Sequence, residues 1–210
     1  MEAIGLFGGT FDPIHCGHLR IALEVAEIVS LSEVRFLPWP MHSLRVNPSV
    51  GGSLRLDMVR AAVSCHSIFK TDDRAFSREL PVYTYDVLSE IRNEHPLLSL
   101  CFLSGMDSFV RIDRWHRWQE ILNLVHIVVA HRPGSDLPQS GPVYELLRER
   151  GVETPAALRT SRFGHIFVAP VTPLEISATA LRQSIRAGVD PRFLVPEPVR
   201  EIILEKACYG

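Results

Sequence analysis

Two histidines spaced i to i+3, His15 and His18, stand beside a glycine pair in the stretch Gly8-Gly9-Thr10-Phe11-Asp12-Pro13-Ile14-His15-Cys16-Gly17-His18. Imidazoles carry N–H donors and titrate near neutrality, so a pair of them next to a phosphate can stabilise charge that grows on a transferring group. Glycine lets the backbone come close to a ligand, and the first amides of a helix, with the positive end of its dipole, favour an anion. Ile4, Leu6 and Phe7 precede the stretch as a buried strand would, and from Gly17 onward the apolar spacing is helical. These residues predict a strand, a glycine turn and a helix N-terminus whose free backbone N–H groups meet a phosphate. Residue types alone leave two alternatives: a tight turn with no ligand, or a metal site using His15, His18 and Asp12, since histidines one turn apart can share a metal.

The elements that must position this turn follow from periodicity. Leu19, Ala22, Leu23, Ala26 and Val29 recur at helical spacing before the run Val34 to Pro38, giving strand, helix, strand and a right-handed parallel crossover. The sheet of an open α/β protein binds its ligands at the carboxyl edge, where the glycine turn falls. Trp39 to Gly52 reads as a long loop over that edge. Ser53 caps a helix with Leu54, Met58, Ala61, Ala62 and Cys65 as its buried stripe, and Ser67 to Thr71 resembles a short strand. Thr84 caps a helix with Val87, Leu88 and Ile91 inward. The strand Leu97 to Leu103 ends in Ser104-Gly105-Met106-Asp107, a second glycine turn, so a ligand is expected to lie across both. A helix over Trp115 to Leu124, a strand over Val125 to Ala130, a helix over Val143 to Arg150 inside a poorly patterned stretch, and a last strand over His165 to Ala169 come next. Ser177 opens a helix with Leu181 and Ile185 inward and Gly188 just past its end, and Val199 to Lys206 forms the final helix. One domain over 1–210 is expected, with helices 177–187 and 199–206 on or beside the sheet.

Composition bounds the function. A chain of 210 residues, 46% hydrophobic and 22% charged, can bury one full core, and a net charge of -2 supplies no basic field for nucleic acid. Cys16, Cys65, Cys101 and Cys208 are scattered without ligand or disulfide spacing, which fits a reducing cytoplasm. No apolar run approaches the ~20 residues that span a bilayer, and no export signal opens the sequence. Oligomeric state is not legible.

Gly8 to His18 resembles the G-G-T-F-D-P-x-H-x-G-H signature of the nucleotidyltransferase superfamily with H-x-G-H histidines, and Ile176-Ser177-Ala178-Thr179-Ala180-Leu181-Arg182 resembles its I-S-x-T-x-[IL]-R motif. With Val82-Tyr83-Thr84, Gly105-Met106-Asp107, Trp115 and Arg132-Pro133-Gly134 between them, almost the whole chain looks like a bacterial nicotinate mononucleotide adenylyltransferase. The resemblance implies a Rossmann-like, doubly wound parallel sheet. It also implies direct attack of the mononucleotide phosphate on the α-phosphate of ATP, giving deamido-NAD and pyrophosphate, with Mg²⁺ held mainly by ATP phosphates and no protein metal site. Carried over by position, His15 and His18 are catalytic. Gly9, Thr10, Phe11, Gly17, Gly105, Asp107, Ser177, Thr179 and Arg182 join the two histidines in binding ATP, and Thr84, Trp115, Arg132 and Arg45 bind the acceptor.

The departures lie in the loop after the second strand. Pro38-Trp39-Pro40-Met41-His42-Ser43-Leu44-Arg45 keeps a cation at Arg45 but has Leu44 where the family has histidine, and His42 reads as an exposed loop residue. Ala178 occupies a position that varies in the family. An adenylyltransferase with another acceptor, phosphopantetheine or nicotinamide mononucleotide, and a nucleotide sensor without catalysis are the rival functions.

Overall fold

The computed structural model of the chain describes residues 1–40, 48–131, 137–172 and 174–210. In chain order its main elements are β1 (Ala3–Gly9), α1 (Cys16–Val29), β2 (Glu33–Pro38), α2 (Gly52–Val63), β3 (Phe69–Thr71), α3 (Thr84–Glu94), β4 (Ser99–Gly105), α4 (Met106–Phe109), α5 (Trp118–Ile121), β5 (His126–His131), α6 (Pro142–Arg150), β6 (Gly151–Val152), β7 (Ile166–Pro170), α7 (Ala178–Arg186) and α8 (Glu197–Glu205). Among the described residues, seven strands form one sheet in the order β3-β2-β1-β4-β5-β7-β6. The pairs β1 with β4, β4 with β5, β5 with β7 and β6 with β7 are parallel, with Leu6 opposite Phe102, Phe102 opposite Ile127 and Ile127 opposite Ile166. The chain moves outward from β1 to β3 and returns on the other side of β1, which is the doubly wound arrangement. Strands β4 and β5 are near-continuous apolar runs because helices cover both faces of such a sheet.

Contacts divide the chain into two compact units. The first comprises Met1–Gly8, Ile21–Arg35 and Tyr83–Thr172; the second comprises Gly9–Arg20, Phe36–Val82 and Pro173–Gly210.

In the first unit Leu6, Leu100, Leu103, Val128 and Ile166 are fully buried. Two polar side chains tie its loops to that core. The Arg92 guanidinium donates to the carbonyls of Leu124, His95, Leu98 and Arg162, and burial, with the nearby Arg162 charge, brings it down to about 10. His126 is fully buried; its Nε2 lies 3.0 Å from the Ser161 carbonyl and its Nδ1 accepts from the His165 N–H at 3.1 Å. That pairing fixes the neutral tautomer with the proton on Nε2.

Burial, reinforced by His165 and Arg92, holds His126 down at about 4 from an ordinary 6.5. Below pH 6.5 the unfolded chain therefore takes up a proton that the folded chain refuses, so stability falls as pH drops toward 4 and levels off beneath it. Between those limits the parent is expected to lose roughly 2 kcal/mol more than His126→Gln. Urea titrations at several pH values check this, and parallel curves for the two proteins would remove His126 as the cause.

Several elements differ from the sequence expectation. The helix expected over Trp115 to Leu124 is a 3-10 turn at Ile112–Arg114 followed by α5, divided by Arg117 at φ 53, a left-handed conformation that ends helical hydrogen bonding. Thr84 is the first residue of α3, with Tyr83 at the cap position. Strand β6 has two residues, too few to show a period.

In the second unit, α2 is preceded by Gly51 at its cap position rather than Ser53 and buries Arg55, Leu56, Met58, Val59, Ala62 and Val63. Of the expected stripe only Met58 and Ala62 are buried, while Cys65 is exposed. The face is rotated because a charged side chain, Arg55, points inward. Helix α7 is capped as expected: the Ser177 side chain accepts from the Ala180 N–H at 3.5 Å, and Gly188 follows at φ 79.

Candidate active site

The glycine turn lies in the second unit and is built by mutual exclusion of side chains. Phe11 sits at φ 48 and is buried, with its ring folded back over Gly9, where a Cβ would come within 2.7 Å of ring carbons. Only glycine fits beneath that ring. Phe11 also meets Phe36 at 5.8 Å and His18, ring planes nearly perpendicular, at 5.1 Å between centroids. Gly17 plays the matching part for the first histidine: a Cβ there would meet His15 Nδ1 at 3.0 Å and Ile176 Cβ at 3.6 Å. The first motif thus rests directly against the residue that opens the second.

His15 is buried and His18 half-buried, with ring centroids 3.7 Å apart and planes inclined at 30°. The His15 backbone N–H donates to His18 Nδ1 at 3.3 Å. An accepting Nδ1 places the proton of the neutral His18 ring on Nε2, making that nitrogen a donor. The expectation of free amides at the start of α1 is met only in part, because the Cys16 N–H donates to the Leu194 carbonyl at 2.9 Å and the His15 N–H is used by His18. Donors toward an anion are therefore weighted to side chains.

Arg182 joins the two motifs across 170 residues of chain: its Nη1 donates to the Asp12 carbonyl at 2.7 Å and lies 3.7 Å from Asp12 Oδ2, while Nη2 reaches Thr179 Oγ1 at 3.4 Å. A guanidinium has five N–H donors, so these contacts orient it without exhausting it. Thr179 and Ser177 are exposed; the Ser177 hydroxyl serves as the α7 cap. The Thr10 hydroxyl oxygen is buried and has no hydrogen-bond partner among the described residues.

Sequence patterning missed the support under this turn. Arg55 is fully buried and donates to the carbonyls of Thr10, Trp39 (2.8 Å), Pro40 (2.6 Å) and Val50 (3.3 Å). Burial lowers its pKa, opposed by the negative charge of Asp12. Asp12 is also buried, its Oδ2 accepting from the Ser49 N–H at 2.8 Å and its Oδ1 from the Tyr209 hydroxyl at 3.0 Å. A charged residue inside an otherwise helical pattern gave no signal of its inward direction.

The first unit holds a separate group of expected residues. Gly105 ends β4, and Asp107 follows it, exposed, in the first turn of α4. Half-buried Trp115 stands edge-on to Phe102 at 5.8 Å. Tyr83 stacks on His116 at 4.4 Å, and the Arg117 guanidinium lies 3.8 Å over the Tyr85 ring. These two contacts bring the segment around Thr84 beside the one around Trp115; His116 and Tyr85 were not singled out from sequence. Arg132 and Arg45, with His42 and Leu44, lie outside the described residues.

Among known proteins, the family model described as cytidylyltransferase-like matches residues 6–184. The "Probable nicotinate-nucleotide adenylyltransferase" of Aeromonas hydrophila is 43% identical over 206 residues, which cover 98% of this chain and 96% of that one. The protein of the same name from Pseudomonas syringae pv. tomato is 45% identical over 197 residues, covering 93% and 88%. Among solved structures, Plasmodium falciparum nicotinic acid mononucleotide adenylyltransferase complexed with NaAD has a similar fold, with TM-score 0.75 at 15% identity and coverage of 100% and 98%.

Proposed function

The chain belongs to the cytidylyltransferase-like family and, within it, to the nicotinate-nucleotide adenylyltransferases, and from that membership we infer that it transfers AMP from ATP to nicotinate mononucleotide, releasing pyrophosphate. The observation that carries the reading to individual residues is the Arg182 link to Asp12, which puts a guanidinium from the second motif on the backbone of the first.

In this reading the acceptor phosphate attacks the α-phosphate of ATP in line, with no enzyme-bound intermediate. Catalysis then consists of positioning and of donors aimed at charge on the phosphates. His18, through Nε2, and His15 stabilise charge at the α-phosphate as the bond to pyrophosphate breaks. Arg182, Thr179 and the first turn of α7 bind the β- and γ-phosphates, and Gly9, Thr10, Phe11 and Gly17 line the ATP side of the turn. Gly105 and Asp107 serve the ATP ribose. Trp115 stacks on the pyridine ring, with Thr84, Arg132 and Arg45 completing the acceptor side.

A divalent cation goes with this family's chemistry, and Mg²⁺ carried on the ATP phosphates fits the residues present. Both carboxylate oxygens of Asp12 already accept hydrogen bonds, so the turn offers phosphate donors rather than a carboxylate cage. Mg²⁺ neutralises phosphate charge when bound; His15, His18 and Arg182 supply the remaining donors. No helix of the described residues is long and apolar enough to cross a membrane, and the four scattered free cysteines support a reducing compartment such as the cytoplasm.

Incubation with ATP, Mg²⁺ and each candidate acceptor, following pyrophosphate, tests the assignment. We expect kcat/KM for nicotinate mononucleotide to exceed that for nicotinamide mononucleotide by at least about tenfold, the discrimination that hydrogen bonds to a charged group supply. Turnover with phosphopantetheine alone would overturn the acceptor.

A further inference from the structure

Tyr209 lies on the segment after α8, far in sequence from either motif, yet only 5% of it is exposed and its hydroxyl donates to Asp12 Oδ1 at 3.0 Å. The backbone bends sharply to bring it there. Ala207 sits at φ 47 and Tyr209 at φ 70, and between them the Cys208 N–H returns to the Ile203 carbonyl at 2.9 Å. Left-handed backbone at an aromatic residue is unfavourable and persists only where surrounding contacts over-determine it. Here the ring is buried beside Met58, whose sulfur is 3.9 Å from the hydroxyl. Burial and the Asp12 charge push the phenol's pKa up, so the hydroxyl stays a donor throughout the physiological range.

The consequence runs through Asp12. That one residue touches Tyr209 and Ser49 through its carboxylate and Arg182 through its carbonyl, and it lies three positions before His15. A buried carboxylate short of a donor rotates or draws a nearby cation to itself, because an unpaired buried charge is costly. Among the described residues, the guanidinium nitrogen within 4 Å of that carboxylate is Arg182 Nη1, at 3.7 Å from Oδ2. With the Tyr209 hydroxyl present, Asp12 is satisfied and Arg182 keeps its remaining donors for a ligand.

We propose that Tyr209 is a positioning residue for triphosphate binding, holding Asp12 so that Arg182 is presented to the β- and γ-phosphates of ATP rather than drawn onto the Asp12 carboxylate. The proposal rests on the phosphate-binding role assigned to Arg182 above, and it is specific about which part of ATP responds.

Isothermal titration of Tyr209→Phe with ATP and with AMP, in the absence of any acceptor, tests it. ATP is expected to bind about tenfold more weakly, in line with the loss of one hydrogen bond to a charged group, while AMP affinity changes less than about twofold. In an Arg182→Lys background the same substitution is expected to change ATP binding by less than about twofold, because residues acting through one another are not additive. Equal weakening of ATP and AMP, or unchanged ATP binding, would show that Tyr209 only packs. Should Tyr209→Phe fail to fold, Asp12→Asn combined with Tyr209→Phe removes the charge that would draw Arg182 away; a ratio of ATP to AMP affinity within about twofold of the parent is expected there, and a ratio lowered about tenfold overturns the proposal. A parent that binds ATP no more tightly than AMP overturns it as well. Absence of turnover with nicotinate mononucleotide, by contrast, counts against the proposed function alone.

Discussion

Replacing His18 with alanine is expected to lower kcat by at least about 100-fold, the loss typical of a preorganised donor that stabilises transition-state charge. The geometry explains why the effect falls on kcat. Ring stacking at 3.7 Å and the His15 N–H held by His18 Nδ1 fix the orientation and tautomer of His18 before any substrate arrives. A donor fixed in advance costs little reorganisation when charge develops, and it contributes less to ground-state binding. KM for ATP therefore changes by less than about fivefold. The His18 ring is only half-buried, so the urea midpoint is expected to stay close to the parent. Steady-state kinetics with a parallel urea titration read both quantities, and a variant with kcat within threefold of the parent would remove His18 from the chemistry.

Much of the fold was legible because it rests on local patterns. Parallel strands buried on both faces are continuous apolar runs, and Val125 to Ala130 could hardly be anything else; it is β5. The cap at Ser177 and the left-handed Gly188 mark α7 at both ends by chemistry that acts within one turn. Short pieces escaped because periodicity needs length: β6 offers two residues, and the 112–121 region breaks at Arg117, whose left-handed conformation no composition rule announces.

The site divides along the same line. Its glycines and histidines are dictated by close approach, as the Phe11 ring over Gly9 and the His15 ring against Gly17 show, so their types carry the information. Arg55, Asp12 and Tyr209 act through partners distant in sequence. For Arg55 the residue type misleads, since arginine in a helix is ordinarily solvated. Neither hydrophobic spacing nor charge count distinguishes a guanidinium that faces water from one that collects carbonyls.

That distinction makes Arg55→Met the most damaging single change expected for stability, a loss of about 3 kcal/mol. Methionine fills similar space and relieves the cost of keeping a guanidinium out of water, a cost visible in the downward shift that burial imposes on Arg55. Against that gain stand the carbonyls of Thr10, Trp39, Pro40 and Val50, which lose the donor they share. An orphaned buried acceptor costs about 1–3 kcal/mol, and with four involved the loss exceeds the relief even if some find water. Arg55→Lys is expected to recover less than half, since one ammonium cannot reproduce the planar fork that reaches several carbonyls at once. Activity falls with stability in both variants, because the Thr10 carbonyl belongs to the turn that carries His15 and His18. Urea unfolding of the three proteins decides the matter: a methionine variant within about 1 kcal/mol of the parent would mean that the carbonyls are satisfied some other way, and that Arg55 is a passenger in the core.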